Sequence, residues 1–241
     1  MMIKQIRTSR GKITVRIPTD LHEITFGQLL DLQQLKNPDD LDVISIFSGI
    51  PKPLLQNTID MGDIDQFGEA VMALAGQIKI LNSYYTIPAK ITFMLSGEKV
   101  IVDVIHNLAM EPAGAFMAAR DIIADEIEKH IAVFGESNWQ EHFQPSLNAC
   151  CKVLAQYFYC CVTRQPYDEF EAEAFTEEIK KLKAMEALPL SRHFFTCYPN
   201  LSKRKQNYCQ RLLQRLKRMQ ASVISKNSAI STPSMPWQAA I

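Results

Sequence analysis

The chain has 241 residues, 47% of them hydrophobic and 22% charged, with 26 basic and 26 acidic side chains and no net charge. That size and apolar content support a core without disulfide or metal staples and exclude a disordered chain. The first 20 residues carry no apolar signal-peptide stretch, and no run approaches the roughly 18 apolar residues of a membrane span, so synthesis in a cytoplasm and no membrane contact are expected.

The chain opens on a predicted β-hairpin. Ile13, Val15 and Ile17 alternate behind the turn signal Ser9-Arg10-Gly11-Lys12, and Pro18 ends the strand because it lacks a ladder N–H. Thr25 is the predicted N-cap of a helix over Phe26–Leu35, whose apolar face holds Phe26, Leu29, Leu30 and Leu32; Asn37-Pro38 breaks it. A short apolar helix follows over Leu41–Phe47, closed by Ser48-Gly49. After Pro51 and Pro53, a helical turn begins at Leu54. Asp63–Leu81 reads as a longer helix with Phe67, Val71, Leu74, Ile78 and Leu81 along one stripe.

Near residue 88 the pattern restarts. Ile91 and Phe93, the turn Ser96-Gly97-Glu98-Lys99, then Val100, Val102 and Val104 predict a second hairpin. A shift of 87 residues aligns the two without a gap. Ser9 falls on Ser96, Val15 on Val102, Ile17 on Val104 and Gly27 on Gly114. The expected fold is therefore α+β, mainly α, with two degenerate copies of a hairpin followed by helices. The predicted boundaries are 1–88 and 89–186 for the two units, 187–224 for a basic C-terminal helical segment and 225–241 for a flexible tail.

Within the second unit, a helix is expected over Ala113–Ile131. Leu147–Val162 is strongly apolar and reads as a helix buried nearly all round, offering only Asn148, Lys152 and Gln156 to water. The acidic stretch from Asp168 to Glu178 reads as a solvated helix start, where negative charge suits the helix dipole. Pro189 is expected to break the chain before Phe194, Phe195 and Tyr198. The last helix, Leu201–Val223, has a narrow apolar stripe. Nine basic residues and no acidic one follow Glu186, so the first 186 residues carry a net charge of −9 and the rest +9.

Little in the sequence points to chemistry. Cys150, Cys151, Cys160, Cys161, Cys197 and Cys209 match no zinc-ligand spacing, and adjacent helical cysteines point about 100° apart. They read as small buried apolar groups in a reducing compartment. No phosphate loop, dinucleotide fingerprint, metalloprotease helix, nucleophile elbow or calcium loop is present. His130 and Glu126 share a helix face, which a surface salt bridge explains. No catalytic, cofactor-binding or metal-binding residue is assigned, and no cofactor or enzymatic activity is expected. The candidate binding residues are Lys203, Arg204, Lys205, Arg211, Arg215 and Arg218, on the basic last helix. That helix has three readings: packing on the acidic 168–178 segment of its own chain, on a partner protein, or on nucleic acid.

Three segments carry a family likeness: ITVRIPTDLHEITFGQLLDLQ (13–33), LDVISIFSGIPKPLL (41–55) and VIVDVIHNLAMEPAGAFMAARDI (100–122). Their order resembles that of a protein family of tailed bacteriophages and prophages of Bacteroidetes-type hosts. In that family a strand, Pro and Ile-Thr-x-Gly-Gln pattern leads into a helix, a Gly-Ile-Pro segment follows, and a degenerate second strand–helix copy comes next. The likeness covers about 1–165 and transfers no functional residue. It implies a virion component or assembly factor of the tail or neck and tail region. The expectation is a structural subunit forming a ring or collar with itself and with other tail or neck proteins. The alternatives are a cytosolic tail-assembly chaperone and a nucleic-acid-associated protein.

Overall fold

A computed structural model describes residues 1–9, 11–59, 61–78, 86–105, 111–136, 139 and 143–197, with Met61, Asp63 and Cys197 described by backbone only. The chain divides into a unit Met1–Ser202 and a second, Lys203–Ile241, all of which lies outside the described residues.

Strands β1 (Met2–Thr8) and β2 (Gly11–Ile17) pair antiparallel, with Ile6 opposite Ile13 and Lys4 opposite Val15. A 3-10 turn at Leu21–Glu23 leads to α1 (Phe26–Gln34). Thr25 caps α1 as expected. Its hydroxyl accepts from the Gln28 N–H at 3.3 Å, and its own N–H donates to Gln28 Oε1 at 2.9 Å. Then come α2 (Asp40–Ser48), α3 (Lys52–Leu55) and α4 (Met61–Ile78). Gly49 ends α2 at φ 69°, a left-handed position that glycine adopts without a Cβ penalty.

Strands β3 (Lys90–Leu95) and β4 (Glu98–Asp103) form the second hairpin. Its two-residue turn, Ser96-Gly97, has both φ values positive, as the turn that matches strand twist requires. The register repeats that of the first hairpin at an offset of 87: Phe93 faces Val100 and Ile91 faces Val102. The helix starts repeat it too, since α1 begins at Phe26 and α5 (Ala113–Phe134) at Ala113. The remaining helices are α6 (Leu147–Thr163), α7 (Glu169–Ala174), α8 (Thr176–Lys180) and α9 (Ala184–Cys197).

Helix α6 is the centre of the core. It packs against α5, α7, α8, α9, α1 and β4, and 11 of its 17 residues are buried, so no broad face is left for solvent. Each fully buried Leu, Val or Phe there contributes about 1.5–3 kcal/mol. Two expectations about this helix need correction. Gln156 is only 4% exposed, because the loop after α6 folds back and the Tyr167 hydroxyl donates to its amide oxygen at 2.7 Å. Cys161 is exposed and Cys160 half-buried; only Cys150 and Cys151 behave as buried apolar groups. Cys209 and the side chain of Cys197 lie outside the described residues.

Pro189 does not break the chain. Helix α9 runs through it. The missing N–H and ring clash cost about 3 kcal/mol. Leu188, Leu190, Phe194 and Phe195 on the same helix are all buried and together outweigh that cost. The predicted divide at 186/187 thus falls inside a core helix. The start of α9 is also stitched to the start of α1. Phe26 N–H donates to Leu182 O at 2.8 Å, and Ala184 N–H donates to Ile24 O at 2.9 Å. One continuous apolar cluster takes in the inner faces of both hairpins and all the long helices.

Candidate interaction surfaces

Lys203, Arg204, Lys205, Arg211, Arg215 and Arg218 lie outside the described residues, as does the whole predicted helix that carries them. His106 and His142 do as well. The sites that can be built belong to the Met1–Ser202 unit.

Glu126 is not the surface partner of His130. Its side chain is buried, and its carboxylate accepts from the Ser146 N–H at 2.7 Å and from Lys129 Nζ at 3.3 Å. Ser146 in turn caps α6, its hydroxyl accepting from Ala149 N–H at 3.2 Å. The carboxylate of α5 thus does for α6 what a third-position Glu does in a capping box. Burial alone would raise its pKa, but the Ser146 and Lys129 hydrogen bonds prevail and hold it below the usual carboxylate value. The His130 ring contacts only the main-chain oxygen of Glu126, at 3.0 Å, and packs edge-on to Phe143.

Glu111 and Cys161 form a second polar pair. The thiol sulfur lies 3.9 Å from each carboxylate oxygen. Partial burial pushes Glu111 up to about 7, and burial together with the nearby carboxylate pushes Cys161 up to about 11. A thiol held protonated is a weak nucleophile, so the pair lacks the electropositive setting of a reactive cysteine. Beside it, the Tyr157 hydroxyl donates to Ile105 O and accepts from Ile105 N–H, both at 2.6 Å, which fixes the end of the second hairpin to α6. Among the described residues no three His, Cys, Asp or Glu side chains stand where they could hold a metal ion, and no described helix is long and apolar enough to cross a membrane. A cleft of about 460 Å³ lies between α9 and the approach to α6, walled by Phe143, Pro189, Arg192 and His193; its described lining carries no carboxylate and no thiol.

The outward faces are more distinctive. On the first hairpin, alternation places Ile3, Gln5 and Arg7 of β1 opposite Arg16, Thr14 and Lys12 of β2, all exposed. Arg7 and Lys12 are direct cross-strand neighbours of like charge, a destabilising pairing. No acidic residue precedes Asp20, while Lys4, Arg7, Arg10, Lys12 and Arg16 all do. That local run was visible in the sequence but submerged in the net −9 of the first 186 residues. The outward face of the second hairpin is apolar at Met94 and Ile101, both 55% exposed and diagonal to each other in the ladder. A third outward feature is α7, where Phe170 is 83% exposed between Glu169 and Glu171.

No family model matches this chain, and neither a curated protein nor a solved structure matches it.

Proposed function

We propose that this chain is an oligomeric scaffold subunit of the tail or neck and tail region of a tailed bacteriophage, working through protein–protein contacts. The observation that carries the reading is the outward face of the second hairpin. Met94 and Ile101 are large, exposed and adjacent, and Ile105 follows them, 45% exposed. A two-stranded sheet also leaves each strand one edge without a strand partner. Apolar faces and open strand edges are what partner proteins use for packing and strand addition. The phage assignment comes from the segment pattern over 13–33, 41–55 and 100–122, and the ring or collar from the same resemblance.

Quantitative mass spectrometry of purified particles tests it. Several copies per particle are expected. Presence in infected cells with absence from particles would overturn the structural reading in favour of a tail-assembly chaperone.

A further inference from the structure

The two hairpins share one register but treat charge differently. In the second, Lys90 stands opposite Asp103 and pairs with it at 3.3 Å. In the first, the corresponding partners are Ile3 and Arg16, and one rung nearer the turn stand Arg7 and Lys12. Arg7, Lys12 and Arg16 have no ion pair or side-chain hydrogen bond among the described residues. Two apolar side chains flank them. Ile3 is 60% exposed, and Ile59, whose N–H donates to Arg7 O at 2.9 Å, is 69% exposed. The face is a row of unneutralised cations bordered by isoleucines.

Its chemical complement lies on the same unit. Helix α7 presents Phe170, the most exposed large apolar side chain among the described residues, between the carboxylates of Glu169 and Glu171. Asp168 is used up in capping α7, and Glu173 pairs with Lys152 at 3.2 Å. Glu169 and Glu171 have no cation among the described residues. The two patches do not meet within one chain: the first hairpin packs on α2 and α4, whereas α7 packs on α5, α6 and α8. Complementary patches on separate elements of one subunit make a heterologous contact, the kind that closes into rings.

The geometry points to head-to-tail self-association, in which the Arg7, Lys12 and Arg16 face of one copy receives α7 of the next, with Phe170 seated beside Ile3 and Ile59. This rests on the scaffold reading and names its contact. The unpaired cations gain counter-charges, the like-charge rung is relieved, and an exposed aromatic side chain is buried. Charge pairing of this sort acts mainly on specificity and association rate, and weakens with salt. Nucleic acid would also neutralise the cations, but it offers nothing to Phe170, Ile3 and Ile59 together, which is why a second copy fits better.

Sedimentation velocity of the full chain across concentration, at low and high salt, tests the contact. The charge reversals Arg7→Glu with Lys12→Glu, and separately Glu169→Lys with Glu171→Lys, are each expected to weaken self-association about tenfold or more. Mixing the two variants restores an intact hairpin on one chain and an intact α7 on the other, so assembly should return in the mixture. Phe170→Ala, which leaves the charges of α7 in place, should weaken it too. If wild type assembles and the reversals change nothing, the contact is wrong while the scaffold reading stands. Failure of the mixture to recover also sinks the contact. A wild-type chain that is monomeric throughout, yet is held on duplex DNA only while Arg7 and Lys12 are intact, hands the face to nucleic acid. Monomeric protein that is also missing from particles removes both readings.

Discussion

Gly114→Ala is the sharpest probe of how the repeated helix start is built. Gly114 is the second residue of α5, and a Cβ placed on it would lie 2.5 and 2.6 Å from two ring carbons of Tyr167. The ring must move. Its hydroxyl is the donor to Gln156 Oε1, and Gln156 is 4% exposed, so displacement leaves a buried amide short of a partner. Overpacking costs about 1–3 kcal/mol. The unsatisfied amide costs about 1–3 kcal/mol more. The helix-propensity gain from Gly to Ala returns about 0.5–1 kcal/mol. The net expectation is a loss of about 2–4 kcal/mol. At about 2–4 °C per kcal/mol for a unit of this size, Tm should fall by about 5–12 °C. Urea denaturation followed by circular dichroism reads the stability. A cycle with Tyr167→Ala identifies the cause, because in that background the alanine meets empty space and should cost little. The reasoning fails if Gly114→Ala is as stable as wild type, or if its cost is the same in both backgrounds. Gly27, its counterpart 87 residues earlier, would place a Cβ 3.0 Å from Lys180 Cβ and 3.1 Å from Lys180 O. That overlap is milder, so Gly27→Ala should cost less than Gly114→Ala.

Glu126→Gln should lose about 1–2 kcal/mol at neutral pH, since a charge-assisted bond to Ser146 and the Lys129 contact are weakened. Because the folded pKa of Glu126 lies below its ordinary 4.5, its contribution is complete above that value and disappears as pH falls through the folded pKa; stability curves of wild type and variant should converge in acid. Glu111 has the opposite sign. Its pKa is raised to about 7, so wild type should lose stability as pH rises from 4.5 to 7, and Glu111→Gln should be about 1 kcal/mol more stable at pH 8 after discounting for solvent screening, yet equal near pH 4. A flat difference across that range, read by urea titration, would count against the burial of Glu111. The Thr58 hydroxyl is buried without a hydrogen-bond partner, so Thr58→Val should raise stability by about 1 kcal/mol, and a loss on thermal unfolding would show that the hydroxyl is satisfied.

What the sequence made legible was local. The hairpin turns, the Thr25 cap, the Gly49 stop and the α4 stripe depend on residues within a few positions of one another, and all lie where the pattern puts them. What escaped it depends on a distant partner. Lys152 and Gln156 share a helix face, so periodicity sends both to water; it says nothing of Tyr167, which arrives 11 residues later and covers Gln156. Glu126 looked like half of a surface pair because its true partner, the Ser146 N–H, lies 20 residues away. Pro189 looked like a break because the four buried side chains that hold α9 around it gain their energy from other elements. For the interaction surfaces the obstacle was averaging. A charge balance taken over 186 residues hid a run of five cations without an acid, and attention went to the basic residues after 200 instead.

The repeat in sequence is not a boundary in folding. A fragment ending at residue 88 would take α1 away from α6, α8 and α9, and would deprive the Phe26 N–H of Leu182 O. The inner faces of both hairpins therefore answer to one shared core. Ile6, Val15 and Ile17 correspond at offset 87 to Phe93, Val102 and Val104, and all six are buried apolar residues. The outer faces carry no such obligation. At the same offset Arg7 becomes Met94, Thr14 becomes Ile101 and Arg16 becomes Asp103. Burial fixes one side of a strand, while the other side, two residues out of phase with no core to satisfy, is free to differ. A subunit that needs two unlike contacts from one repeated element would show this division: a cationic face on the first hairpin, an apolar face on the second, and a common interior beneath them.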